Sequence, residues 1–105
     1  MAEFKNITVT ELPALIASGT VQLVDVRTDA EIAQGRIQGA NSMPLHLLPM
    51  RLQELDTSKT IVFYCQVGGR SAQAAAFAAG QGLVNVANLQ GGIMAWAQSG
   101  GKVVA

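Results

Sequence analysis

Apolar residues along the chain follow two spacings, one typical of strands and the other typical of helices. Residues 21–26 and Thr60–Tyr64 are almost continuously apolar and rich in β-branched side chains. Runs of this kind are typical of strands that are covered on both faces of a sheet. Residues 41–43 and 84–89 are weaker strand candidates. The pattern therefore predicts two central buried strands and two further strands.

Helical spacing separates these strands. Leucine and isoleucine recur on one helical face in residues 12–16, and a Ser-Gly pair then gives a stop signal. Two signals predict different starting residues for this helix. Thr8 and Glu11 have the spacing of a capping box, whereas Pro13 favours a first turn that begins nearer Thr10.

Three more helices are predicted further along the chain. Thr28 and Glu31 form a second capping box, which opens a short helix that ends at Gly35. A third short helix is marked by Leu48, Leu52 and Leu55. Residues 71–80 form an alanine-rich helix, whose small side chains allow close packing against a sheet. The stripe of small residues on this helix is predicted to be Ala72, Ala75, Ala76 and Ala79.

The alternation of strands and helices predicts an α/β fold. Right-handed crossovers then give a mostly parallel sheet with helices on both faces. No linker, charge block or internal repeat interrupts the sequence, so residues 1–105 are expected to form a single domain. Functional sites in such sheets lie beyond the carboxyl ends of the strands, and Cys65 directly follows the most apolar strand.

Composition and charge narrow the function classes. Of the 105 residues, 50% are hydrophobic and 13% are charged, and seven Lys and Arg balance seven Asp and Glu. This balance argues against a disordered chain and provides no basic field for nucleic acid or anionic lipid. No apolar run approaches the ~18–20 residues of a membrane span. We therefore expect no nucleic-acid or membrane partner and, because residues 1–6 lack a signal segment, a location in the cytoplasm.

The chain contains one cysteine, Cys65. A disulfide within the chain is therefore impossible, and a cysteine-based metal cluster is not expected. His46 has no second His or Cys at ligand spacing, so a metal site is not expected there either. No cofactor is predicted. Any chemistry at Cys65 then belongs to the thiolate itself.

Cys65 is followed by Gln66-Val67-Gly68-Gly69-Arg70-Ser71, at a junction between a strand and a helix. We refer to residues 65–71 as the Cys65 loop. Taken singly, these residues have ordinary interpretations: a small buried hydrophobic residue, a tight turn and a solvated surface charge. Together they favour a site for an anion, because the two glycines let backbone amides point inward, the helix N-terminus adds its dipole and Arg70 adds a positive charge. Such surroundings favour a reactive thiolate at neutral pH.

The Cys65 loop resembles the C-x-x-G-x-R-S active-site loop of the rhodanese (thiosulfate sulfurtransferase) family. Three other stretches are similar to motifs of that family, in the family's order: Leu-Val-Asp-Val-Arg at residues 23–27, the segment at residues 31–45, and Leu-Gln-Gly-Gly-Ile-Met-Ala-Trp at residues 89–96. The similarity covers about residues 21–96. Arg36 and Ser42 depart from the family pattern, which usually has histidine and asparagine there, and both lie outside the loop.

The resemblance implies a three-layer rhodanese-like fold, with a sheet of about five strands, and a two-step sulfur transfer without a cofactor. The Cys65 thiolate would take sulfur from thiosulfate or a similar donor and pass it from a persulfide to cyanide, a thiol or a sulfur-carrier protein. Backbone amides from Gln66 to Ser71 would hold the outer sulfur. Arg70 would attract the dianionic donor, and the Ser71 hydroxyl would either bond the sulfur or cap the helix.

Three functions are compatible with these motifs. The leading hypothesis is a sulfurtransferase, and the alternative is a persulfide carrier or relay protein with little turnover of small molecules. The third, a non-catalytic module, is disfavoured because such members of the family generally lack the cysteine. Phosphatases that share the architecture resemble C-x5-R, whereas Cys65 to Arg70 is C-x4-R, so phosphatase activity is not expected.

Two other groups of residues are candidates for weaker roles. Asp25, Arg27 and Glu31 are interpreted as a structural set of ion pairs at a strand end, with a catalytic role as the alternative. Docking of a protein acceptor is predicted to use Arg70 and residues 45–48, because a neutral chain offers no global electrostatic steering.

Overall fold

The computed structural model describes residues 3–105. Met1 and Ala2, which begin the segment used to predict a cytoplasmic location, lie outside the described residues. The strands are β1 Lys5–Ile7, β2 Val21–Asp25, β3 Arg36–Ile37, β4 Asn41–Ser42, β5 Thr60–Tyr64, β6 Val86–Leu89 and β7 Val103–Val104. The α-helices are α1 Leu12–Ser18, α2 Asp29–Ile32, α3 Leu48–Arg51, α4 Gly69–Gly80 and α5 Gly92–Gln98. Turns of 3₁₀-helix, Leu45–Leu47 and Leu52–Glu54, flank α3.

Five strands form one parallel sheet in the order β1-β6-β5-β2-β4. A second, two-stranded antiparallel sheet joins β3 to β7 near the end of the chain. The predicted α/β fold with a mostly parallel sheet of five strands is confirmed. Its carboxyl edge brings together the segments that follow β2, β5 and β6, which are the sheet's three central strands.

The two faces of the sheet are covered by different helices, which makes three layers. On β5, Ile61 and Phe63 pack into one core cluster with the alanines of α4, while Val62 and Tyr64 pack into the other. The second cluster also contains Trp96 of α5 and a leucine of α1. Because side chains alternate across a strand, the continuous apolar run of β5 supplies both cores. The strand that leads to Cys65 is therefore fixed from both sides.

Both predicted signals at the start of α1 are present. The Thr8 hydroxyl accepts a hydrogen bond from the backbone N–H of Glu11, whose carboxylate accepts one from the backbone N–H of Thr8. The helix itself begins at Leu12 and carries Pro13 in its first turn. The Thr8–Glu11 pair thus closes the turn before the helix, and the proline begins the helix.

Helix α4 differs from its prediction in start and in orientation. It begins at Gly69, two residues earlier than predicted, and its buried stripe is Ser71, Ala74, Ala75 and Ala78. Of the predicted stripe only Ala75 is buried, and Ala72, Ala76 and Ala79 are only partly buried. The buried stripe includes Ser71, whose hydroxyl oxygen contacts the Cys65 sulfur.

The prediction that residues 45–48 form an exposed docking surface is wrong in part. Leu48 is fully buried in the core, and Leu45 is partly buried, while His46 is exposed. Strands β1, β3 and β7 were not predicted, because each is only two or three residues long and shows no apolar alternation. Among residues 3–105, no helix has the length and apolar character needed to cross a membrane.

Candidate active site

Cys65 lies at the carboxyl end of β5, and the Cys65 loop connects it to α4. The side chain is buried, with 1% of the residue exposed. Gly68 precedes the first residue of α4 with φ of 114°, a conformation that side chains rarely adopt. Gly69 lies inside the helix, where an added Cβ would meet open space. Only one of the two glycines is therefore required by the backbone of the loop.

The Cys65 sulfur is surrounded by hydrogen-bond donors from the loop. The backbone N–H of Gly68 lies 3.1 Å from Sγ and that of Ser71 lies 3.4 Å from it. The Ser71 hydroxyl oxygen is a further 3.4 Å contact. Because the sulfur also lies at the N-terminus of the 12-residue helix α4, the helix dipole favours a negative charge at this point.

These donors change the acidity of the thiol. Burial raises the pKa of Cys65, but the contact with the Ser71 hydroxyl and the hydrogen bonds from the backbone N–H groups of Ser71, Gly68 and Val67 outweigh it. The net pKa lies below its usual value. The loop thus favours the thiolate, which is the nucleophilic form of cysteine.

Ser71 belongs to a chain of buried polar side chains. Its hydroxyl donates to Oδ1 of Asn88 at 2.5 Å, and the Asn88 amide donates to Oδ1 of Asn6 at 3.1 Å. Helix α4 has no side-chain cap, so of the two predicted roles of Ser71 the structure contains the sulfur contact and not the cap. Asn88 is not among the site residues predicted from the sequence. Its signal was a polar residue inside the apolar strand β6.

Arg70 pairs with Glu31 across the entrance to the loop. Its two terminal nitrogens donate to the two carboxylate oxygens of Glu31 at 2.7 and 2.8 Å. The Arg70 guanidinium, together with hydrogen bonds from Thr28, outweighs the effect of burial and lowers the pKa of Glu31 to about 2, so Glu31 is ionised at neutral pH. The prediction that Glu31 completes a set with Asp25 and Arg27 is wrong for its carboxylate, which faces the Cys65 loop instead.

Asp25 and Arg27 form the predicted structural ion pair. The Arg27 guanidinium donates to both carboxylate oxygens of Asp25 and to the Gly35 carbonyl, the latter at 2.7 Å. It lies 5.8 Å from the centre of the Tyr64 ring. The two charged side chains are almost fully buried. This group braces the turn after β2 and does not contact the sulfur.

The start of α5, which includes Gly92 of the motif at residues 89–96, packs against the Cys65 loop. Helix α5 directs two of its first N–H groups at the loop, from Ile93 to the Cys65 carbonyl at 2.9 Å and from Met94 to the Gln66 carbonyl at 3.1 Å. Gly92 has φ of 62°, and a Cβ there would collide with both of these carbonyl oxygens. The approach of α5 therefore requires glycine, and it holds the Cys65 and Gln66 carbonyls away from the sulfur's donors.

Gln66 and Val67 contribute to the site through their backbone. Val67 is exposed, and the Gln66 side chain is half-buried and makes no hydrogen bond among the described residues. Beside the loop lies a cavity of about 260 Å³, which we call the Arg70 cavity. It is lined by Val26, Thr28, Pro44, Leu45, His46 and Arg70. Among residues 3–105, no group of three or more His, Cys, Asp or Glu side chains is arranged to hold a metal ion.

Comparison with known proteins gives consistent results. A family model described as a rhodanese-like domain matches residues 8–99. A sulfurtransferase of Allochromatium vinosum is 51% identical over 81% of this chain and 79% of its own length. The thiosulfate sulfurtransferase GlpE of Pseudomonas entomophila is 35% identical over 91% of this chain and 87% of its own. The crystal structure of a rhodanese-related protein from Thermoplasma volcanium is 30% identical, with a TM-score of 0.89 over 96% of this chain and 98% of that one.

Proposed function

This chain belongs to the rhodanese-like domain family, and we propose that it transfers sulfane sulfur from thiosulfate or a similar donor through a persulfide on Cys65. Sulfur transfer in general follows from the family and from the sulfurtransferases among its relatives. Thiosulfate is the donor named for the Pseudomonas entomophila relative, and we extend it to this chain as part of the proposal.

The observation that carries the proposal is the set of N–H groups around the Cys65 sulfur. In the first step the Cys65 thiolate attacks the outer sulfur of thiosulfate. A bond forms between the two sulfurs while the donor's own S–S bond breaks, and sulfite leaves with the bonding electron pair. Cys65 then carries a persulfide whose negative charge the Gly68 and Ser71 amides stabilise.

In the second step an acceptor takes the outer sulfur. A cyanide ion or a thiolate attacks it, and the electron pair of the breaking S–S bond returns to Cys65 as thiolate. The proposed mechanism uses no general base, because the loop lowers the pKa of the Cys65 thiol and so favours the thiolate. The chain has no second cysteine to form a disulfide with Cys65, so the persulfide sulfur leaves to an external acceptor.

The remaining loop residues have assigned roles in the proposal. Gln66 and Val67 contribute backbone to the Cys65 loop, Gly69 begins the helix that follows it, and Arg70 is the cationic residue of the loop. No cofactor or metal takes part. A location in the cytoplasm belongs to the proposal, because a reducing compartment keeps a single cysteine free for this chemistry.

The test is the mass of the intact protein after exposure to thiosulfate and removal of the excess. We expect the wild type to gain one sulfur atom and Cys65→Ser to gain none, and we expect cyanide to remove the added sulfur. An unmodified wild-type thiol would overturn the proposal.

Two further measurements separate the neighbouring functions. Steady-state thiocyanate formation from thiosulfate and cyanide is expected of the sulfurtransferase. A persulfide that forms and passes to a thiol protein without such turnover would indicate the relay function instead. Hydrolysis of an aryl phosphate that is lost in Cys65→Ser would indicate phosphatase chemistry and contradict the argument from loop length.

A further inference from the structure

The arginine of the Cys65 loop is paired with a carboxylate, so its charge is compensated within the protein. Both terminal nitrogens of Arg70 are bound to the Glu31 carboxylate, so the guanidinium carries its own counter-ion within the protein. A thiosulfate dianion that approaches Arg70 meets the negative charge of Glu31 at the same place. The charge that was predicted to attract the donor is therefore largely compensated.

Glu31 is held in this position by a second set of contacts. One of the two carboxylate oxygens that bind Arg70, Oε1, also accepts hydrogen bonds from the backbone N–H and the hydroxyl of Thr28, each at 3.1 Å. These are the contacts of the capping box of α2. Since the carboxylate is fixed by the helix end and by Arg70 together, its charge stays at the loop entrance.

The Arg70 cavity next to this ion pair is mostly apolar. Val26, Pro44 and Leu45 form part of its wall, and the ionisable side chains that line it are Arg70 and His46. Its volume of about 260 Å³ exceeds what a small inorganic anion occupies. The surroundings of Arg70 therefore offer space and apolar contact, and little net positive charge.

We propose that Glu31 is a positioning residue that sets donor specificity: by neutralising Arg70 it disfavours dianionic donors and favours sulfane donors with one negative charge and an organic group, such as organic thiosulfonates. This inference rests on the proposed sulfur transfer. With a thiosulfonate the Cys65 thiolate attacks the terminal sulfur, the bond between that sulfur and the sulfonyl sulfur breaks, and an organic sulfinate leaves with the electron pair. The persulfide that results is the same as with thiosulfate.

The test compares thiosulfate with methanethiosulfonate, which has the same reacting sulfur and one negative charge fewer. Both donors are assayed with cyanide at one fixed pH, so that the charge of His46 is constant. In Glu31→Gln the amide oxygen still accepts the capping-box hydrogen bonds from Thr28, while the charge and the Arg70 hydrogen bond to the second carboxylate oxygen are lost. We expect the ratio of kcat/KM for thiosulfate to that for methanethiosulfonate to rise about fivefold, through a lower KM for thiosulfate. Added salt should reduce the rise.

Three other variants extend the test, each with its own expected value of this ratio. Arg70→Gln leaves Glu31 unpaired and should lower the ratio below that of the wild type. The double variant Glu31→Gln with Arg70→Gln is again neutral, and its ratio should return close to the wild-type value. Glu54→Gln breaks the exposed Arg51–Glu54 pair, which lies on another part of the surface, and should leave the ratio unchanged.

Equal changes with both donors in Glu31→Gln, or no change with either, would overturn the specificity proposal and leave the sulfur transfer intact. A double variant whose ratio stays as high as that of Glu31→Gln would also overturn it, because Arg70 would then not be the group that Glu31 opposes. If the wild type forms no persulfide with either donor, the proposed function itself fails.

Discussion

Two arginine–carboxylate pairs lie at the carboxyl edge of the sheet, and they differ mainly in burial. The side chains of Arg27 and Asp25 are 4% and 2% exposed, whereas those of Arg70 and Glu31 are 37% and 31% exposed. Each arginine binds both oxygens of its carboxylate. The chemical groups are therefore the same, and only their contact with water and with the Cys65 loop separates them.

Burial changes what each pair contributes. A buried charge that loses its partner is left without water or counter-ion, so the Asp25–Arg27 pair is a condition of the fold. A partly exposed pair gains little free energy because water screens it, but its charges still act on an approaching anion. We therefore expect the buried pair to stabilise the fold and the exposed pair to act on donors that approach the Cys65 loop.

The largest expected effect comes from breaking the buried pair. Asp25→Asn removes the negative charge and leaves Arg27 buried, and we expect the free energy of unfolding to fall by about 3–5 kcal/mol. Denaturant unfolding measures this loss. Replacing both residues by apolar ones, Asp25→Leu with Arg27→Met, should recover part of it, although the Gly35 carbonyl then loses its donor. A loss below about 1 kcal/mol in Asp25→Asn would contradict the assigned role.

The next largest effect is expected at Gly68, whose backbone conformation shapes the Cys65 loop. Gly68→Ala forces a side chain into φ of 114°, and we expect it to cost about 1–3 kcal/mol of stability. It should also slow persulfide formation, because the Gly68 N–H then moves from the Cys65 sulfur. Gly69→Ala is the matched control. Its Cβ meets open space within a helix, so stability and persulfide formation should be unchanged or slightly improved. Equal losses in both variants would contradict the loop geometry.

The smallest expected effect is the contribution of the exposed Arg70–Glu31 pair to stability, which should depend on pH. The pKa of Glu31 is depressed from 4.5 to about 2 in the folded protein, so its pairing stabilises the fold above the unfolded value and this stabilisation is lost as the pH falls toward 2. Because the pair is about one-third exposed, we expect Glu31→Gln to cost no more than about 1 kcal/mol at neutral pH.

The measurement is the denaturation midpoint of the wild type and of Glu31→Gln across this pH range. Their difference should shrink between pH 4.5 and 2. Glu54→Gln, in the exposed pair with Arg51, serves as the control and should leave the midpoint unchanged. A difference between the wild type and Glu31→Gln that stays constant with pH would show that the ion pair is not its source.

Much of the fold follows from local patterns. The apolar runs predicted β2 and β5, because a strand buried on both faces needs apolar residues at successive positions. The capping box at Thr28 and Glu31 predicted the start of α2, because its hydrogen bonds join residues three apart. The short strands β3 and β7 had no such pattern, and they exist because distant segments meet.

The buried face of α4 also could not be predicted from local patterns. Alanine occupies most positions of this helix, so composition did not distinguish its faces. The buried face is the one that carries Ser71, which contacts the Cys65 sulfur, and this contact is visible only in the folded chain.

Local patterns in the sequence were enough to predict the parts of the candidate site that are close along the chain. These are a cysteine at the end of a buried strand, a glycine for the turn that follows it, and a helix whose N-terminus lies at the sulfur. The contacts between residues that are distant along the chain became visible only in the tertiary structure. Glu31 and Arg70 are 39 residues apart, and Ser71 and Asn88 are on different elements. Such pairs form because the strand order places the ends of β2, β5 and β6 side by side, and no spacing along the chain encodes that proximity.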